Sequence, residues 1–225
     1  MKKFLKHYKH GFISIFYVIF YLTWFAYIEK AVVHPPRIIH MKADNYIPFC
    51  EYFVIPYLLW FAYVAGAVVY FMFKNKQDYY RICTFLYTGM TIFLIVSTLW
   101  PNGHHLRPYI FERENIFTML VHGLYKADTP TNLWPSIHVY NSIGVHLAVI
   151  HNHKLRKNKA VHFGSLLLCV SIIMSTVFLK QHSLFDVITG FIMAAVMYLV
   201  VYVYDIVTIY QMRRYLARRR RVHHV

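Results

Sequence analysis

Two histidines and an aspartate carry the chemistry that can be read from this chain. His182 and Asp186 stand four residues apart in Lys180-Gln181-His182-Ser183-Leu184-Phe185-Asp186, and on a helix that spacing brings both side chains to one face. A carboxylate against one imidazole nitrogen fixes the tautomer and leaves the other nitrogen free as a base or a nucleophile. Alone, the pair is ordinary, because Asp is favoured near helix N-termini whatever the function. Its weight comes from its company: His138 in Trp134-Pro135-Ser136-Ile137-His138, and Arg107 in Leu106-Arg107-Pro108. A nucleophilic imidazole, a second imidazole to protonate a leaving oxygen, and fixed positive groups are what phosphoryl transfer through a covalent histidine needs. Ser136 before an apolar run reads as the cap of a helix whose first N–H groups can hold an anion.

The elements that must position these residues are membrane spans. The chain of 225 residues is 58% hydrophobic and 19% aromatic, yet carries a formal charge of +15, so apolar runs and basic blocks are segregated. Spans need roughly 20 apolar residues each, and six are expected, at about 12–28, 53–73, 82–100, 137–151, 160–179 and 185–209. The fourth is short and needs tilt or burial among its neighbours. The expected fold is all-α, one polytopic membrane domain over 1–225, with both termini cytoplasmic. Charge gives the orientation: 17 of the 24 Lys and Arg fall on one side of a six-span chain, among them Lys2, Lys3, Lys6, Lys9, Lys74, Arg81, Lys154, Arg156, Arg213 and Arg218 to Arg221. That distribution follows the positive-inside rule and disfavours a nucleic-acid surface. The Arg218 to Arg221 run is expected to meet anionic lipid headgroups. With no small-x-small cleavage site after Ile28, the basic N-terminus and first apolar run read as an uncleaved span.

Placed on this topology, Arg107, Ser136, His138, Lys180, His182 and Asp186 all reach the outer, extracytoplasmic surface. The connection 101–136 is the longest outer segment and the richest in polar residues. The loop 29–52 is expected to lie on the membrane as an anchor. Cys50, Cys83 and Cys169 sit at different depths, which argues against pairing, and no helix-spaced His pair with a carboxylate supports a metal site. His34, His40, His146 and His162 have no expected company, and Asp205 is expected to pair with an inner-face cation. A channel or transporter would place its ionisable groups at mid-span, whereas these stand at span ends.

The order Arg-Pro, Pro-Ser-x-His, His-x-x-x-Asp on six spans resembles the lipid phosphate phosphatase superfamily, also called type-2 phosphatidic-acid phosphatases, with its motifs within about 101–190. The resemblance implies His182 as nucleophile, Asp186 as its orienting partner, His138 as general acid, and Arg107 with Ser136 and Ile137 as phosphate binders. It implies neither cofactor nor metal, a lipid phosphate or prenyl diphosphate as substrate, and a multi-pass protein of the cell membrane. Three positions depart from the family's pattern: Trp100 replaces a Lys seven residues before Arg107, Ile137 replaces Gly, and Ser175-Thr176 replaces Ser-Arg. Lys180 is the expected substitute for the missing cations, with His104 or His105 as further candidates, and Thr176 is a possible site residue. This variant is similar to the branch near the inositol-phosphorylceramide synthases, so transfer of a phospho-headgroup between lipids stands as the alternative to hydrolysis.

Overall fold

The computed structural model describes residues 8–32 and 34–222; Lys2, Lys3 and Lys6 lie outside the described residues. The helices are α1 (Phe12–Ala31), α2 (Val54–Lys74), α3 (Lys76–Leu99), α4 (Ile116–Ala127), α5 (Ile137–His151), α6 (His153–Lys157), α7 (Lys159–Phe178), α8 (Leu184–Tyr198) and α9 (Ile206–Val222). Their starts follow from sequence. Asn75, Asn115, Asn152 and Asn158 each accept two first-turn N–H groups, and Ser136 and Ser183 one each, which satisfies donors that a helix leaves without an internal partner.

Among the described residues, five helical segments are long and apolar enough to cross a membrane: Lys9–Ala31, Glu51–Lys74, Lys76–Leu99, Lys159–Phe178 and Leu184–Leu216. The remaining expected span, α5, has only 15 residues, about 22 Å at the helical rise. It is instead the central helix, packed against α2, α3, α7 and α8, with ten of its 15 residues buried. Its neighbours, rather than lipid, meet its surface. Close crossings make this possible. A Cβ on Gly89 of α3 would fall 2.0 Å from the Tyr140 ring, and one on Gly190 of α8 would fall 3.1 Å from the Ser136 carbonyl oxygen. Tyr140 then stacks on Phe85 at 4.8 Å and donates to the Phe85 carbonyl at 2.6 Å.

The expected sixth span, 185–209, does not run through as one helix. After Tyr198 the chain forms a π-helical turn, Leu199–Val203, and bends at Asp205, where φ is 45°. A left-handed residue other than glycine is costly, and this one is held by Arg81, whose Nη2 donates to Asp205 Oδ2 at 2.6 Å. Arg81 is thus the cation expected to pair with Asp205.

At the opposite end the connecting segments knit into a cap. Ile38 bridges Gly103 in parallel and Gly103 bridges Thr131 antiparallel. Asn102 accepts the N–H groups of Leu133 and Trp134 at 2.9 and 3.2 Å. Helix α4 presents Phe117 and Leu124 around the buried Val121 and packs them on Val54, Tyr57 and Leu179; each such buried side chain stabilises by about 1.5–3 kcal/mol. The loop 29–52 is therefore more than the membrane-lying anchor expected: Asp44 and Glu51 are buried, and both bond to residues distant in sequence.

Candidate active site

The position of His182 is set by a short loop between α7 and α8. The Thr176 carbonyl accepts the N–H groups of both Gln181 and His182, at 2.9 and 3.0 Å, and Lys180 takes the left-handed conformation, φ 53°. His182 is 5% exposed and Asp186 fully buried. His182 Nδ1 lies 3.4 Å from Asp186 Oδ2, a separation that would tighten into a hydrogen bond with bound substrate. The same oxygen accepts the Ser183 N–H at 3.0 Å as part of a capping box. Asp186 is thus both an N-terminal capping residue and the partner of His182. Burial drives the His182 imidazole down to about 3, the Arg107 charge acts in the same sense, and a backbone hydrogen bond to Leu133 opposes them. At neutral pH the ring is uncharged, the state a nucleophile requires.

His138 faces this group from the first turn of α5. Its ring centroid is 5.7 Å from that of His182, and it lies between Tyr57 at 4.5 Å and Trp60 at 4.3 Å, both from α2. Neither ring nitrogen has a hydrogen-bond partner among the described residues. Ser136, wholly buried, caps α5 by accepting the Val139 N–H at 3.4 Å, and its own N–H donates to the Asp186 carbonyl at 3.2 Å. One backbone bond therefore ties the two histidine segments together. Ile137 turns its side chain into the apolar cluster with Phe93 and Leu94, so only its backbone is available to an anion.

Arg107 comes from the cap. Its Nη1 donates to the Tyr125 carbonyl at 3.2 Å, and its Nη2 to the Asp128 carbonyl at 2.7 Å and to Gln181 Oε1. The guanidinium lies 4.4 Å over the Tyr125 ring. Burial lowers the Arg107 pKa while Asp128 opposes that shift, and the same burial raises Asp128 while Arg107 opposes it. Tyr57 donates to Asp128 Oδ2 at 3.0 Å, so one tyrosine braces both His138 and the acid behind Arg107.

The expected auxiliary cations stand elsewhere. The Lys180 ammonium donates to the Asp44 carbonyl at 2.9 Å and to that of Ile47; its left-handed backbone sends the side chain to the 42–47 turn and not over the site. His104 is buried with both ring nitrogens engaged, Nε2 with the Gln181 carbonyl at 2.9 Å and Nδ1 with the Leu106 N–H at 3.2 Å. Burial holds it down to about 4, so it is a neutral strut. His105 is exposed. Thr176 donates its hydroxyl to the Ile173 carbonyl at 2.7 Å and serves the site through its own carbonyl.

Four contributors escaped the sequence reading. Asp44 accepts from Ser183 Oγ at 2.6 Å and from the Leu184 N–H at 2.8 Å, which fixes the start of α8; Gln181, Tyr57 and Trp60 complete the surround. Tyr57 and Trp60 sit inside an apolar span and carry no signal there. Gln181 had one, its place directly before His182 within the motif, whereas Asp44 lies in a loop that the sequence reads only as an anchor. Three histidines expected to lack company have it: the rings of His146 and His162 stack at 5.8 Å, and His40 Nε2 lies 2.8 Å from Asn45 Oδ1. Among the described residues no group of three His, Cys, Asp or Glu side chains could hold a metal ion, and all three cysteines are free. Residues 106–207 match the family model of the PAP2 superfamily. No curated protein and no solved structure matches.

Proposed function

We infer that this chain, a member of the PAP2 superfamily through residues 106–207, is a membrane phosphoesterase that cleaves a lipid phosphate or prenyl diphosphate through a phosphohistidine on His182. The observation that carries the reading is the neutral, buried His182 with Asp186 at 3.4 Å on one side and the His138 ring at 5.7 Å on the other. Asp186 holds the Nδ1–H tautomer, which leaves Nε2 to attack phosphorus. His138, protonated as the anionic phosphate binds beside it, gives its proton to the leaving lipid oxygen. It then takes one from the water that attacks the phosphohistidine. Because its nitrogens hold no structural bonds, neither proton step breaks one. Arg107 and the first N–H groups of α5 neutralise the equatorial oxygens.

A second reading is favoured by one specific observation. Lys180 is committed to the 42–47 turn and both His104 nitrogens to backbone, so Arg107 carries the fixed charge of the site. A phosphodiester, with one negative charge, needs less than a monoester, and headgroup transfer to an acceptor lipid then replaces hydrolysis. We further propose six crossings with α5 as the fourth, both termini cytoplasmic, an outward-facing site, and anionic lipid at the basic inner face. The distribution of Lys and Arg supports this orientation, and a cysteine introduced at Tyr109, which is 96% exposed in the same connection as Arg107, should label from outside intact cells while one at Asn158 does not. Incubation of purified protein with phosphatidic acid, prenyl diphosphate or phosphatidylglycerol phosphate, and separately with a labelled diester lipid plus an acceptor lipid, tests the activity. Phosphate release supports hydrolysis and label in the acceptor supports transfer. Neither, from folded protein, would sink both readings.

A further inference from the structure

We propose that Gln181 sets the charge of the phosphate this site accepts, favouring a singly charged phosphodiester over a dianionic monoester. The proposal rests on the second reading above, in which the substrate is a phosphodiester and Arg107 its phosphate anchor, and deepens it.

Gln181 is wholly buried beside the nucleophile. Its backbone is pinned on both sides, the N–H to the Thr176 carbonyl at 2.9 Å and the carbonyl to His104 Nε2 at 2.9 Å. The amide orientation is dictated by its neighbours: Oε1 accepts from Arg107 Nη2, and Nε2 donates to Asp128 Oδ2 at 3.4 Å. A guanidinium grips an oxyanion bidentately through one of two edges, Nε–H with Nη2–H or Nη1–H with Nη2–H. Both edges require a hydrogen on Nη2. Here Nη2 is shared between the Asp128 carbonyl and Gln181 Oε1, and Nη1 gives one hydrogen to the Tyr125 carbonyl. What remains is Nε–H, buried and without a partner, and one Nη1–H that shares no edge with it. Gln181 therefore leaves Arg107 only single hydrogen bonds to offer a phosphate.

The surrounding charges point the same way. Asp128 sits behind Arg107, Asp186 behind His182, and Asp44 at the start of α8, while the Lys180 ammonium is spent on the carbonyls of Asp44 and Ile47. A second negative charge on the substrate would meet no uncommitted fixed cation among these groups, and in a buried site that lack is poorly screened. A methionine at position 181 would keep the volume but remove the acceptor. One Nη2–H would be released, and Arg107 could again offer two hydrogens to a phosphate.

The test compares two lipids that differ by one methyl group and one charge, dihexanoyl phosphatidic acid and its methyl ester, dihexanoyl phosphatidylmethanol. At pH 8 in detergent, wild-type protein should have a kcat/KM at least about tenfold higher for the methyl ester, the size of effect expected of a mismatched charge at a guanidinium. Gln181→Met should shift the ratio at least about tenfold toward phosphatidic acid. Binding of the same pair to His182→Ala protein, read as thermal stabilisation, should show the same preference and the same shift. Equal treatment of the two lipids by wild type, a preference for phosphatidic acid, no interaction with either, or an unmoved ratio in folded Gln181→Met would overturn the proposal. The wild-type ratio needs no substitution, so a failure of Gln181→Met to fold leaves that arm decisive. Turnover that survives in His182→Ala would instead strike the phosphohistidine reading. Turnover lost there with an unmoved Gln181→Met ratio would remove the Gln181 proposal alone.

Discussion

At the end proposed to face outward, α8 begins among buried carboxylates: Asp44 receives the Ser183 hydroxyl and the Leu184 N–H, and Asp186 receives the Ser183 N–H while facing His182. At the end of the same segment proposed to face inward, Arg81 meets Asp205 at 2.6 Å with side chains 26% and 29% exposed. Both ends pair an acid with nearby donors, yet they differ in what water can do. The outer groups, once desolvated, must find their partners inside the protein, and a lost partner leaves a buried polar atom unpaired. The inner pair can fall back on solvent, which is why half-exposed ion pairs contribute little. The helix is thus held in place at one end and merely turned at the other. The site proposed for catalysis lies at the end where a lost partner is costly.

Substitutions that separate the two ends should show this gradient. His182→Ala, at the outer end, should lower kcat on the order of a thousandfold or more, while Asp186→Asn should leave more activity because it removes orientation and charge but not the nucleophile. Equal activity of wild type and folded His182→Ala in a phosphate-release assay would break the comparison at its strongest point. Asp44→Ala should cost about 3 kcal/mol in stability, since it strands a hydroxyl and two backbone donors at a helix start. Thermal unfolding in detergent would measure that loss, and turnover should fall with it because the position of His182 depends on the same loop.

The next effect is pH. Burial lowers His104 to about 4 and His182 to about 3 in the folded protein, whereas an unfolded histidine titrates near 6.5. Between these values the unfolded chain binds more protons, so stability is fully present above about pH 6.5 and is lost as pH falls below it. Each histidine should cost about 2 kcal/mol by pH 5. Unfolding midpoints measured from pH 7 to pH 5 should drop, and Gln substituted at His104 should flatten part of that slope. A slope of opposite sign would mean that these imidazoles are not held neutral.

Much of the outer end was legible in the sequence because its key pairs are local. His182 and Asp186 are one helical turn apart, Ser136 caps the helix that carries His138, and hydropathy alone outlines the long helices. What stayed hidden depends on contacts made across the chain. Asp44 meets Ser183 over 139 residues, and no local pattern distinguishes it from any loop acid. Lys180 looked like a phosphate cation because it lies two residues before the nucleophile. Its left-handed backbone, invisible in a list of residue types, turns it to the 42–47 loop. The short α5 was flagged as needing burial among neighbours, and burial is what the packing provides.

Two smaller effects sharpen the contrast. Lys180→Ala should reduce stability by about 1 kcal/mol, the worth of hydrogen bonds from a charged donor that is only partly desolvated, and change turnover by less than about threefold. A tenfold loss of turnover with unchanged stability would restore it as a phosphate ligand. At the inner end, Arg81→Ala should cost no more than about 1 kcal/mol and leave turnover unaltered. A large loss of activity there would mean that the bend at Asp205 communicates with the site.

The most direct test is the covalent intermediate itself. Protein mixed with a lipid substrate carrying a labelled phosphate and quenched in alkali, where a phosphohistidine survives, should retain label on the peptide that contains His182, with fragmentation placing the added mass on that imidazole. The label should be absent from His182→Ala protein and should disappear from wild type on acidification. Turnover without any labelled histidine, or label that persists on another residue when His182 is removed, would contradict the account.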